Sequence, residues 1–270
     1  MRVLTITALS VGLFSASVRA QDLPAPSDQL PPQAPVTELA VSTPKVNLVY
    51  LAPSDRGVKQ TYVTAMGSAV NSLILWYAKQ MPNHKTFRTS DPSVIVVPLP
   101  HNASYYANNP RPNIFTQFWD NVLNDGLPLT GGRFSDPQNV WAFYIDADPI
   151  CGECGGCGTS GVLVVSANDL RGLAGETGTF TDPCNPSAKP AGAPVNRWIG
   201  GLGHELGHAF GLPHPPGCDA GEKTCDYAAL MWTGYASYPY TYLRDDEKAK
   251  LTNSSFFYVS MNPKSRSVKH

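Results

Sequence analysis

His204 and His208 stand four residues apart, with Glu205 beside the first and His214 six residues beyond the second. On a helix, residues four apart share one face, one above the other. Two imidazoles so placed can grip a single Zn²⁺ at about 2.0–2.1 Å each, while Glu205 is rotated aside and can reach a metal-bound water. Gly211 falls where that helix should stop, since glycine enters the left-handed conformation at little cost. The turn there, continued by Leu212-Pro213, swings His214 back as a third ligand. Three neutral imidazoles leave a fourth position open, where the ion lowers the pKa of a bound water toward about 7. Glu205 would take that proton and pass it on to a leaving amine after attack on a polarised carbonyl. The expected cofactor is therefore one catalytic zinc ion, and the expected chemistry is hydrolysis. A purely structural zinc needs ligands but no base, so Glu205 argues against a silent zinc-containing binding module. A zinc hydrolase of a non-protein amide or ester would need the same residues.

These side chains need a helix that positions them. Trp198, Ile199, Leu202, Leu206 and Phe210 recur at helical spacing and predict a helix over 196–210 with one buried face. Gly200, Gly201, Gly203 and Gly207 lie within it, each costing up to about 1 kcal/mol relative to alanine. Close approach of neighbouring backbone around the metal is the expected reason.

The segment "HELGHAFGLPH" resembles the extended zinc signature of the metzincin clan of metallopeptidases, and "ALMWTGY" (229–235) resembles the methionine-containing turn beneath the metal in that clan. Met231 takes the methionine position. The short interval from His214 to Met231, the tyrosine four residues after the methionine, and "LRDDEKAKL" (243–251) with Asp245 and Asp246 are similar to the matrix metalloproteinase branch. The cysteine-bearing propeptide motif of that branch is absent. The resemblance implies a zinc metalloendopeptidase in which His204, His208 and His214 bind metal and Glu205 is the catalytic base. Met231 and Gly211 would then be structural, and Thr233, Gly234 and Tyr235 would line the substrate cleft. It implies a mixed α/β fold in which a twisted sheet packs on helices, and the active-site helix is followed by the methionine turn and a C-terminal helix.

Upstream, "VNLVYLA" from Val46, "SVIVVPLP" (93–100), "VWAFYIDA" (140–147) and "GVLVVSA" (161–167) read as strands. Segments 58–81 and 114–126 read as helices, the second ending at Gly126. Strands and helices alternate, as a mixed α/β layer requires. The fourth strand, near Gly161–Ala167, is the expected exposed edge along which an extended peptide would pair through its main chain. A polar loop rich in Gly, Pro and Thr is expected from there to about Pro194.

The wider sequence sets the context. Residues 1–20 carry Arg2, an apolar stretch and Val18-Arg19-Ala20, which predicts a signal peptide cleaved after Ala20. Residues 21–44 read as a proline-rich linker or short pro-segment, and residues 45–270 as the catalytic domain. No later run reaches membrane length, so a secreted or periplasmic protein without a membrane anchor is expected. A net charge of -1 provides no footprint for nucleic acid. The expected partner is a protein or peptide substrate. No motif speaks to calcium or to oligomeric state. Six cysteines follow an export signal, Cys151, Cys154, Cys157, Cys184, Cys218 and Cys225, and predict disulfides. Among the pairings, Cys218 with Cys225 is the specific expectation, and the Cys151–Cys157 cluster is expected to be stapled to the loop holding Cys184. Four thiolates closing a second zinc site are the alternative for Cys151, Cys154, Cys157 and Cys184. His84, His101 and His270 have no partner at ligand spacing.

Overall fold

The computed structural model of the chain describes residues 43–176, 180–185 and 193–259. The expected signal peptide, and all but the last two residues of the expected linker, lie outside the described residues. Strand β1 (Lys45–Ala52) pairs in parallel with β3 (Thr89–Pro98) on one side and with β4 (Asn139–Ile145) on the other. Beyond β4 lie β6 (Val162–Val165), also parallel, and β5 (Gly156–Thr159), antiparallel and at the edge, in the order β3-β1-β4-β6-β5. A separate two-stranded ribbon joins β2 (Lys85–Thr86) to β7 (Tyr258–Val259).

Alternation along β1 and β4 sends successive side chains to opposite faces of this sheet. Val46, Leu48, Tyr50, Val140, Ala142 and Tyr144 face one core, which they share with α1 (Gln60–Gln80), α4 (Ala167–Leu173) and α5 (Val195–Ala209). Val49, Leu51, Trp141, Phe143 and Ile145 face the other, covered by α2 (Ala103–Asn108) and α3 (Ile114–Thr130). The fold is therefore mixed α/β, with helices on both faces of a mostly parallel sheet. A short α6 (Asp245–Thr252), the last helix of the described residues, packs against the first core through the buried Leu251.

Several expected boundaries move, each for a visible reason. Helix α3 does not stop at Gly126, which is buried in close contact with Phe143 and Leu51, but runs to a left-handed Gly131 with φ of 70°. The stretch expected to be loop contains α4, whose Leu170 and Leu173 are buried in the first core. The expected exposed edge near Gly161–Ala167 is instead β6, all four of whose residues are buried between β4 and β5. The edge belongs to the glycine-rich β5.

Helix α5 buries Leu202 and Leu206 completely, a gain of about 1.5–3 kcal/mol each. Its glycines are sites of close approach. A Cβ on Gly203 would lie 2.9 Å from Leu73 of α1, and one on Gly207 would run into the Met231 side chain. At Gly200 the obstacle is the backbone carbonyl of Tyr235, in the short 3-10 segment Thr233–Ser237. Backbone cannot swing away as a side chain tip can. Gly200→Ala should therefore lower stability by about 1–3 kcal/mol from overpacking, even though alanine is the better helix former by up to about 1 kcal/mol. Thermal denaturation checks the sign: a variant as stable as wild type would mean that the two segments are not pinned together.

Candidate metal centre

Helix α5 carries His204 and His208 four residues apart on one face, and the chain leaves the helix through Gly211, with φ of 91°. That turn brings His214 round so that one potential ligand atom from each of the three histidines lies within 4.8 Å of the others. The Nε2 of His208 is 3.1 Å from that of His204 and 3.1 Å from that of His214.

The opposite ring nitrogens show which tautomer is present. Nδ1 of His204 is 2.8 Å from the Leu230 carbonyl, and Nδ1 of His208 is 2.9 Å from the Leu212 carbonyl. A carbonyl only accepts, so each Nδ1 must hold the proton and donate it. Nδ1 of His214 lies 2.7 Å from the Asp219 carboxylate, which likewise accepts. Burial holds His204 as the neutral ring, its pKa down at about 4, and lowers that of His208. The Nε2 atoms of His204 and His208 therefore present bare lone pairs to one another, a repulsive arrangement unless a cation sits between them. Tetrahedral ligands at 2.0–2.1 Å from Zn²⁺ are about 3.3 Å apart, close to the spacing found. The donor set fits a zinc ion.

Glu205 points the other way, toward the edge strand. A Cβ on Gly156 would lie 3.7 Å from its Oε1, and one on Gly158 would lie 2.5 Å from its backbone oxygen. The strand passes so close to the helix that only glycine fits at position 158. Burial first, and the charge of Asp169 second, push the Glu205 carboxyl up to about 8, opposed by Arg197. A divalent cation beside it acts in the opposite sense, favouring the carboxylate.

Beside His204 and Glu205 opens a cavity of about 350 Å³, whose lining includes Arg197, Asp169, Asn168, Ser166, Glu153 and Tyr235. The Arg197 guanidinium lies 4.2 Å from the Trp198 ring centroid and 4.9 Å from that of Tyr235. The Asp169 carboxyl near it is raised to about 6 by desolvation and held from rising further by that cation. Of the turn residues singled out in the sequence, Tyr235 lines this cavity, with its ring 5.2 Å from that of His204. The other two do not: Thr233 donates to the Tyr227 carbonyl, and Gly234 is buried against the backbone of Ala228. Met231 is fully buried beneath the helix, packing at Gly207.

The cysteines pair as Cys151–Cys184, Cys154–Cys157 and Cys218–Cys225, and no described cysteine is free. No thiolate set is left for a second metal. His101 stacks on Tyr105 at 3.8 Å and His84 contacts the Ala78 carbonyl, both apart from the triad, while His270 lies outside the described residues. Asp169, Arg197 and Asp219 are the residues of this site that the sequence did not single out. The one local signal was the position of Asp219 beside Cys218.

No protein-family model matches the sequence, and no curated protein does. Solved structures do resemble it. OgpA from Akkermansia muciniphila superposes with a TM-score of 0.52 at 18% identity, covering 81% of this chain and 63% of OgpA. A catalytically inactive OgpA, again at a TM-score of 0.52 and 18% identity over 81% of this chain and 62% of its own, is known in complex with an O-glycopeptide (glycodrosocin) substrate. The likeness shows a shared fold, and this chain spans less than two thirds of OgpA. Archaemetzincin from Methanopyrus kandleri is a more distant likeness, with a TM-score of 0.39 and 16% identity over 77% of this chain and 95% of its own.

If the triad is a metal site, wild-type protein should carry stoichiometric zinc, and His208→Ala with His214→Ala should carry none. Elemental analysis after gel filtration decides this, and a full equivalent retained by the double variant would show that zinc is bound elsewhere.

Proposed function

We propose that the chain is a zinc-dependent peptidase of metzincin type, exported from the cell, with His204, His208 and His214 as metal ligands and Glu205 as the general base. The observation that carries this reading is the convergence of three Nε2 atoms beside a desolvated carboxyl group, in a cleft walled by a free strand edge. Zinc bound there would supply Lewis acidity, lowering the pKa of water and polarising a substrate carbonyl.

The protein's own residues supply the rest. The outer edge of β5 offers main-chain donors and acceptors to an extended peptide, which holds the backbone without reading its sequence. Glu205, facing that edge at Gly156, stands where it can accept a proton from the attacking water and return it to the departing amine. Tyr235 and the cavity beyond it would receive one side chain next to the scissile bond. Because that cavity is lined by Arg197, Asp169, Asn168 and Glu153, the residue received would be polar or carry a polar modification. OgpA, with its O-glycopeptide, is a precedent for such a substrate on this fold. The three disulfides support export.

Glu205→Gln keeps the shape of the side chain but cannot accept the proton. It should retain zinc and fold while kcat/KM falls about 10²- to 10⁴-fold. Mass spectrometry of cleavages in a proteome-derived peptide library, including glycopeptides, gives both the rate and the preference. Wild-type protein that holds zinc but cuts no peptide or glycopeptide would overturn the assignment. Activity of Glu205→Gln within about tenfold of wild type would show that another group is the base.

A further inference from the structure

We infer that Asp219 is the positioning residue of His214, and that the Cys218–Cys225 disulfide acts on the metal site by holding Asp219 in place. The inference rests on the metal-binding reading above. It concerns the one ligand that does not belong to helix α5. His204 and His208 are fixed twice, by the helix that bears them and by backbone carbonyls on Nδ1. His214 lies past the Gly211 turn, with its side chain about a third exposed (30%), edge-on to Trp232 at 4.9 Å. Its Nδ1 partner is a side chain, the carboxylate of Asp219 at 2.7 Å.

An exposed ion pair of this kind is weak when both partners are free to move, and the Asp219 side chain is 75% exposed. What restrains Asp219 must therefore be its backbone. The segment 215–225 has little to pack with: its only buried residues are Pro215, Cys218 and Cys225. The bond between the two cysteines is thus the core of this loop. It ties Cys218, the immediate neighbour of Asp219, to the start of the segment that leads through Ala229 and Leu230 to Met231. Turn bonds complete the loop, with Cys218 N–H donating to the Pro215 carbonyl at 3.2 Å and Glu222 N–H to the Gly217 carbonyl at 2.8 Å.

A carboxylate on the outer nitrogen of a ligating histidine fixes the tautomer, orients the ring and raises the basicity of the inner nitrogen, and losing such a partner typically weakens metal binding about 10- to 100-fold. Zinc affinity, measured by competition with a chromophoric chelator at fixed pH, tests the inference without reference to turnover. The proteins compared are wild type, Asp219→Ala, Asp219→Asn, the pair Cys218→Ser with Cys225→Ser, and the three substitutions Asp219→Ala, Cys218→Ser and Cys225→Ser combined. Asp219→Ala should weaken zinc binding about 10- to 100-fold. Asp219→Asn should fall between it and wild type, since its carbonyl oxygen still accepts the Nδ1 proton but carries no charge. The serine pair should show a comparable loss, and the triple variant should lose no more than Asp219→Ala, because residues acting through one contact are not additive. Wild-type affinity in Asp219→Ala overturns the inference while leaving the metal-binding reading intact. Losses that multiply in the triple variant overturn the role given to the disulfide. A wild type that binds no zinc overturns both readings. Circular dichroism of the metal-free proteins shows which variants are folded. Should the serine variants fail to fold, the order wild type, Asn, Ala carries the test, and equal affinities across it overturn the proposal.

Discussion

The Nε2 atoms of three imidazoles meet at one point, that of His208 lying 3.1 Å from each of the other two, and the surrounding chain is arranged to force that meeting. Left to themselves, two neutral rings would rotate or share a proton. Rotation is opposed because each ring donates from its far nitrogen to an acceptor supplied by another stretch of chain: Leu230 for His204, Leu212 for His208 and Asp219 for His214. Protonation of His204 is opposed by burial, which depresses its pKa to about 4. The unfavourable meeting of lone pairs becomes favourable only with a cation at its centre. The described residues thus store the selectivity for a metal in hydrogen bonds made on the side away from it.

That arrangement dictates the packing around α5. For Leu230 to offer its carbonyl to His204, the methionine turn must lie against the helix, and a side chain at Gly200 or Gly207 would hold it off. For a peptide on the edge strand to lie over Glu205, β5 must run against the same helix, and Gly158 is where they touch. A helix with glycine at 200, 201, 203 and 207 is poor by intrinsic propensity. The cost is offset by contacts that no larger residue would allow.

What could be read in the sequence was what depends on neighbours along the chain. The spacing of His204, Glu205, His208, Gly211 and His214 is local to one helix and one turn, and so were the apolar runs of β1, β3, β4 and β6. Strand β5 could not be seen, because Gly156-Cys157-Gly158-Thr159 carries no alternation; it is a strand only because Val162–Val165 lies beside it. The interior place of β6 is itself legible, since "VLVV" is apolar on both faces, the mark of an interior strand, whereas a strand edge open to solvent carries a less apolar run. Helix α4 was hidden by the Gly-Pro-Thr composition of the stretch around it, although Leu170 and Leu173 have helical spacing. Asp169 and Arg197 were beyond reach for another reason. Twenty-eight positions separate them in the chain, and only the docking of α4 against α5 through Gly172 and Trp198 brings them to one cavity.

That cavity determines what the cleft can discriminate. A strand edge binds any extended backbone, so it confers little choice among peptides. On the proposed function, choice would come from the space beside His204, where the Arg197 guanidinium lies against the rings of Trp198 and Tyr235 and is balanced by Asp169. These groups are held in place before any substrate arrives. An apolar side chain entering there would strip water from them and return no hydrogen bonds, leaving buried polar atoms unpaired at a cost of about 1–3 kcal/mol each. A hydroxyl, amide or sugar would replace the lost water with fixed donors and acceptors. A polar pocket of this kind can discriminate through rejection in a way that an apolar pocket of equal volume cannot.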